Sequence, residues 1–316
     1  MLALYWDGQA LSVESSRATP ETNQETALVR VNLAGICDTD LQIFEGYMDF
    51  RGVPGHEFVG TVRDGPPELR GKRVVGEINF ACGECEACNR GLNRHCPNRK
   101  VMGIRGADGA FAEYVSLPAG NLHRVPDTVS DEEAVFTEPL AAAFEILEQI
   151  QPNPGDDVLV LGDGKLGFLC AQVLKLTGAH VTVLGKHPEK LNLIKRCTIR
   201  TVLLKDWKPK LFDIVVEATG SASGLQLALS AVRPRGTLVL KSTIAGDHQL
   251  SLAPAVINEI TIVGSRCGPF PDALEALSEK AVTVTPMIEN VYPLAEGVDA
   301  VAHAARPGAR KILLQA

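Results

Sequence analysis

Residues 158–185 read VLVLGDGKLGFLCAQVLKLTGAHVTVLG. The first four are Val and Leu, an apolar run of the length a buried strand needs. Gly162-Asp163-Gly164-Lys165-Leu166-Gly167 follows as a G-x-G-x-x-G turn. GFLCAQVLKLTG then reads as an apolar helix, and HVTVLG as a second strand. The glycine pattern alone is weak, but between a strand and a helix it predicts a dinucleotide site. Gly162 permits the tight turn, and Gly164 lets the main chain approach a pyrophosphate. Gly167 lets the helix pack close to the strand, with the helix N-terminus facing the anion. Lys165, next to Leu166 in the same turn, either adds charge near the pyrophosphate or faces water.

The end of the second strand bears on the cofactor. An NAD site places Asp or Glu about 20 residues past the glycines, to accept from the ribose hydroxyls. Here Gly185-Lys186-His187 stands instead. Glycine makes room for a 2′-phosphate, and Lys186 and His187 offer it positive charge. The expectation is NADP(H) in preference to NAD(H). The alternative makes Lys186, His187 and Lys190 a solvated helix start.

Outward from this unit, FDIVVEAT (212–219), TLVLKS (237–242) and ITIVGS (260–265) read as further strands. Helical segments such as SGLQLALSAV (223–232) separate several of them. Strand–helix alternation from about residue 137 predicts an α/β fold, a Rossmann doubly wound parallel sheet. Before it, ALVRVNLAG (27–35), HEFVGTVRDG (56–65), KRVVGEIN (72–79) and FAEYVSLP (111–118) read as short strands with Gly, Pro and Asp punctuation. They predict a small β-rich domain. The segment from about Pro269 either extends the parallel sheet or returns to that first domain.

The 316 residues fit two domains, and 45% hydrophobic with 22% charged residues is ordinary for a globular protein. A net charge of −7 gives no general attraction for nucleic acid or an anionic membrane. No apolar run approaches the length of a membrane span, and MLALYWDGQALSVESS lacks the basic start of a signal peptide. The expected location is the cytoplasm.

Cys82, Cys85, Cys88 and Cys96 form a C-x2-C-x2-C-x7-C run at the heart of a lobe over about residues 80–98. Four thiolates at this spacing can enclose one tetrahedral zinc with no open position, a structural site. Two disulfides are the alternative, and nothing else in the chain suggests an oxidising compartment. Cys37 and the pair His56-Glu57 offer further zinc-ligand types, although spacing alone does not set them apart from structural residues.

GICDTD (35–40), GVPGHEFVG (52–60), the four-cysteine lobe, TEPL (137–140) and the glycine-rich turn stand in the order seen in one family. The chain resembles the zinc-dependent alcohol dehydrogenases of the medium-chain dehydrogenase/reductase superfamily. Glu138 in Glu-Pro-Leu is similar to the polyol and threonine dehydrogenase branch. The resemblance implies a GroES-like catalytic domain (1–136 and 269–316) interrupted by the Rossmann domain (137–268), with the active site in the cleft between them. It implies two zinc ions per subunit, one structural and one catalytic. Cys37 and His56 would be catalytic zinc ligands, and Glu57 a carboxylate able to exchange at the metal. Glu138 would be the remaining ligand, direct or through water, with Asp40 orienting His56. Thr39 would take the proton from the substrate alcohol before hydride passes to the nicotinamide. Arg310 matches a position near the pyrophosphate. A homodimer or homotetramer acting on a small alcohol or carbonyl compound is implied. A zinc-free quinone or enoyl reductase and a catalytically silent nucleotide-binding scaffold are the rivals. Gln42 departs from the family, which carries a proton-relay histidine there in its classical members.

Overall fold

The computed structural model describes residues 1–23, 25–243 and 250–316. It divides into two compact units, Met1–Glu138 with Ile288–Ala316, and Pro139–Met287.

In the first unit β1 (Ala3–Trp6) and β2 (Leu11–Glu14) form an antiparallel pair. The long strand β3 (Thr26–Gly35) organises the rest. Apart from its last three residues, its side chains alternate between more and less buried, as in a sheet with one face on a core. α1 (Asp38–Phe44) follows it, and β4 (Glu57–Asp64) pairs with it antiparallel. β5 (Arg73–Gly76) extends the sheet. β6 (Asn79–Phe80), α2 (Glu86–Asn89), β7 (Lys100–Met102) and β8 (Gly106–Ala107) build the cysteine lobe and its base. β9 (Tyr114–Pro118) pairs with the first half of β3, and β10 (Leu122–Arg124) with β5. α3 (Asp131–Ala134) is capped by Ser130 Oγ, which accepts from Glu133 N–H at 3.2 Å.

α4 (Thr137–Gln149) opens at the boundary between the units. The second unit then alternates strand and helix: β11 (Asp157–Leu161), α5 (Lys165–Leu176), β12 (His180–Gly185), α6 (Pro188–Arg196), β13 (Arg200–Leu203), β14 (Phe212–Glu217), α7 (Ala222–Ala231), β15 (Val232–Leu240), α8 (Ala253–Ile257), β16 (Thr261–Gly264) and α9 (Phe270–Ser278). The six strands are all parallel, in the order β13-β12-β11-β14-β15-β16. This is the doubly wound order, with its reversal between β11 and β14. β11 is central, so Val158, Leu159 and Val160 are fully buried, which is why its sequence is a continuous apolar run. Cys170 is core of α5, and burial pushes its thiol up to about 11, an unreactive state.

The chain re-enters the first unit as β17 (Ile288–Pro293), α10 (Gly297–Ala304) and β18 (Lys311–Gln315), with β18 antiparallel to the end of β3. The expected return at Pro269 is therefore too early. α9 stays with the second unit, burying Phe270, Ala273, Leu274 and Leu277, and Thr283 exchanges hydrogen bonds with the Gln172 amide of α5 at 2.8 and 3.0 Å. Among the described residues no helix is long and apolar enough to cross a membrane.

Candidate functional site

β3 ends and β4 begins at the same end of the sheet, with Gly35 opposite Glu57. Cys37, two residues past β3, and His56, one before β4, are thereby brought together. Cys37 is the N-cap of α1, and Asp40 stands in the first turn, fully buried. One oxygen of Asp40 accepts from the Cys37 backbone N–H at 2.8 Å. The other lies 3.1 Å from His56 Nδ1. A carboxylate only accepts, so it places the ring proton on Nδ1 and leaves Nε2 as a lone-pair donor. A helix cap thus also sets the histidine tautomer. Cys37, His56 and Glu57 each offer a ligand atom within 4.8 Å of the others. Thr39 Oγ1 is 3.8 Å from Cys37 Sγ. Burial disfavours a charged His56, but Asp40 and Cys37 together outweigh it and hold the imidazole well above its ordinary pKa.

Glu57 has a partner that the sequence did not reveal. β18 runs beside β3, and Ile36 N–H donates to Ile312 O at 3.0 Å. This puts Lys311 next to Glu57, where the ammonium pairs with Oε2 and also donates to Ile36 O at 3.3 Å. Both side chains are essentially fully buried. Burial alone would lower the Lys311 pKa, and Glu57, with Cys37 and Asp38, outweighs it and raises it. Glu57 Oε1, also buried, finds no hydrogen-bond partner among the described residues. An orphaned carboxylate oxygen beside a thiol and an imidazole fits a cation site. Gly35 leaves space for the pair: a Cβ there would lie 3.5 Å from Lys311 Nζ and overlap Glu57.

Glu138 does not join this group. It lies in the first turn of α4, half-buried, where a carboxylate also suits the helix dipole. Asp38 is exposed, and Gln42 half-buried. The Arg310 backbone N–H donates to Glu289 Oε2 at 2.7 Å, and its guanidinium lies 3.7 Å from the same oxygen.

In the lobe, Cys82, Cys85, Cys88 and Cys96 converge. Sulphur separations are 3.5 Å for Cys85–Cys88, 3.5 Å for Cys82–Cys96 and 3.8 Å for Cys85–Cys96. These exclude disulfides and match the edge, about 3.8 Å, of a tetrahedron with Zn–S bonds of about 2.3 Å. Backbone N–H groups of Glu84 and Cys85 lower Cys82 to about 6, whereas desolvation and neighbouring thiols push Cys88 up to about 12. Crowded thiols cannot all ionise together without a cation. His95 stands outside the cluster.

The second unit carries the glycine turn after β11, beside the sheet's reversal point. Gly162 has φ +116, and a Cβ there would meet the Ala218 carbonyl carbon at 2.9 Å. A Cβ on Gly167 would meet the Gly162 carbonyl carbon at 2.9 Å, whereas Gly164 faces open space. Two glycines thus serve chain packing, and the third leaves room for a phosphate at the start of α5. Lys165 and Leu166 open that helix, half-buried. At the end of β12 the structure adds Asp163, which accepts from Lys186 N–H at 2.6 Å and His187 N–H at 2.7 Å.

The pattern of the alcohol dehydrogenase GroES-like domain matches residues 23–127, and that of zinc-binding dehydrogenase matches 166–281. D-arabinitol dehydrogenase 1 of Uromyces fabae is 30% identical, covering 95% of this chain and 93% of that protein. L-threonine 3-dehydrogenase of Shewanella woodyi is 28% identical, over 89% of this chain and 90% of that one. Among solved structures, a protein of Sinorhizobium meliloti 1021 described as a zinc-binding dehydrogenase, bound to NADP, superposes with TM-score 0.91 at 26% identity. It is covered to 99% and covers all of this chain. RspB, an alcohol dehydrogenase of Escherichia coli CFT073 complexed with NADH, gives 0.91 and 26% with the same coverage.

Proposed function

Because the chain belongs to the zinc-dependent alcohol dehydrogenases of the medium-chain dehydrogenase/reductase superfamily, we propose that it interconverts an alcohol and an aldehyde or ketone with zinc and a nicotinamide dinucleotide. The observation that carries this reading is the Cys37–His56–Glu57 group, oriented by Asp40 and containing an orphaned carboxylate oxygen. Zinc, when bound, polarises the reacting oxygen, and the nicotinamide exchanges the hydride.

The residues divide the remaining work. Cys37 and His56 hold the metal. Glu57, shared with Lys311, supplies a carboxylate that can move on and off it, and Glu138 completes the shell directly or through water. Asp40 keeps His56 Nε2 aimed at the metal. Thr39 receives the alcohol proton. Gln42 has no ionisable group, so the proton leaves Thr39 without an imidazole at that position. Gly162, Gly164, Lys165, Leu166 and Gly167 receive the pyrophosphate, and Gly185, Lys186 and His187 border the adenosine ribose. The four-cysteine lobe holds a second, structural zinc. The names of the D-arabinitol, sorbitol and threonine dehydrogenases among the relatives support a polyol or amino alcohol as substrate. For the cofactor, Gly185, Lys186 and His187 support NADP(H), as does the NADP-bound relative; Asp163 and the NADH-bound relative support NAD(H).

The test follows reduced-nicotinamide absorbance over polyols, amino alcohols and simple alcohols, with each dinucleotide, beside a zinc count by plasma mass spectrometry. Turnover with two zinc ions per chain is expected. A protein with one zinc that reduces quinones or enoyl compounds instead would replace this reading with the zinc-free branch. Two site variants sharpen it. Asp40→Asn is expected to weaken zinc at Cys37 and His56 by about 10- to 100-fold, measured by competition with a chelator. Cys96→Ser, at a fully buried thiol, is expected to remove the structural zinc alone and lower the melting temperature. Loss of both ions on that change would show that the two sites are not independent.

A further inference from the structure

Taking as given that the chain binds a nicotinamide dinucleotide, we propose that Asp163 makes it prefer NAD(H) to NADP(H). β12 ends in Gly185-Lys186-His187, without the acid that accepts from a ribose in NAD sites. The structure supplies that acid from the glycine-rich turn. Asp163 is the residue between Gly162 and Gly164, and its side chain is only 7% exposed. It reaches across to the end of the neighbouring strand. Oδ2 accepts the backbone N–H groups of Lys186 and His187 at 2.6 and 2.7 Å, and Oδ1 lies 2.9 Å from His187 Nδ1.

All but one of the features that would welcome a 2′-phosphate are thereby changed. The space over Gly185 is filled, since a Cβ there would lie 2.6 Å from Asp163 Cβ. Gly185 is glycine because the aspartate needs that room. The His187 ring and two backbone donors, suited to phosphate oxygens, are already given to a carboxylate. Lys186 remains, but it is exposed, and a solvated lysine offers a fixed anion little. A phosphate would thus meet a buried negative charge. A carboxylate has about four acceptor positions, and three are taken here. The fourth suits a ribose hydroxyl, which can donate a hydrogen bond where a phosphate cannot.

Fluorescence titration of the zinc-loaded protein with NADH and with NADPH measures the two dissociation constants apart from turnover. In the wild type NADH is expected to bind at least about tenfold more tightly, the scale of one like-charge contact. Asp163→Asn keeps the shape and removes the charge, and is expected to shrink that ratio by about tenfold, chiefly through tighter NADPH. Wild-type protein that binds NADPH equally or better overturns the inference and leaves the oxidoreductase reading standing. So does an Asn variant with an unchanged ratio. Should the variant fail to fold, the wild-type ratio still decides. Failure of the wild type to bind either dinucleotide would overturn both readings.

Discussion

Cys37→Ala is expected to remove one of two zinc ions and to lower turnover by about a thousandfold or more. The metal supplies several kcal/mol of charge stabilisation in the reaction, and each 1.36 kcal/mol is a factor of about ten. Among the described residues the thiol is one of three ligand groups gathered within 4.8 Å of one another, so a ligand lost here is not replaced from within that group. The structural lobe lies elsewhere in the first unit and keeps its zinc, and the melting temperature changes little. Zinc counting and steady-state kinetics on the same preparation check this. Full activity with two ions per chain would show that Cys37 is not a ligand. His56→Ala should behave alike, except that it also leaves the buried Asp40 carboxylate without its imidazole and so costs stability too.

Lys311→Met is expected to destabilise the zinc-free protein by about 3–5 kcal/mol, the cost of stranding one member of a buried ion pair. Methionine conserves most of the volume, so the loss reports charge rather than a cavity. Among the described residues Glu57 Oε1 has no hydrogen-bond partner, and removing Lys311 takes the ion pair from Oε2 as well. Two comparisons separate this from a packing defect. Adding Glu57→Gln to Lys311→Met is expected to recover part of the loss, because the stranded charge is then gone. Zinc loading is also expected to recover part, because Glu57 can turn to the metal. Urea unfolding of the single and double variants, with and without zinc, supplies the numbers. A loss below about 1 kcal/mol, unchanged by zinc, would mean that Glu57 is satisfied in some other way.

Lys311 and Arg310 show where reading residues in isolation stops. The family resemblance points to Arg310, whereas Lys311, the next residue and the first of strand β18, pairs with Glu57, and Arg310 contacts Glu289. Neighbours in sequence thus meet different partners, one a buried ion pair and the other a half-buried contact. A lysine directly before the apolar run Ile312-Leu313-Leu314 is the available signal. Asp163 is a similar case. As the second residue of G-x-G-x-x-G it carried no meaning until the strand order placed it beside Gly185. The early domain boundary had another cause: proline at 269 and a helix look alike whichever unit the helix covers.

What the sequence determined by itself was local. Four cysteines within fifteen residues, a glycine turn between strand and helix, and the period of each apolar run depend on spacing along the chain, and spacing is written in the sequence. From these came the parallel sheet, the β-rich first domain, the metal lobe and the nucleotide turn. Tertiary structure alone decided how charges meet. Pairing Gly35 with Glu57 and with Leu313 sets Cys37, His56, Glu57 and Lys311 at one end of three strands. Placing β12 beside β11 closes Asp163 over Gly185. A charge acts through distance and burial, and for residues far apart in the chain both are properties of strand register.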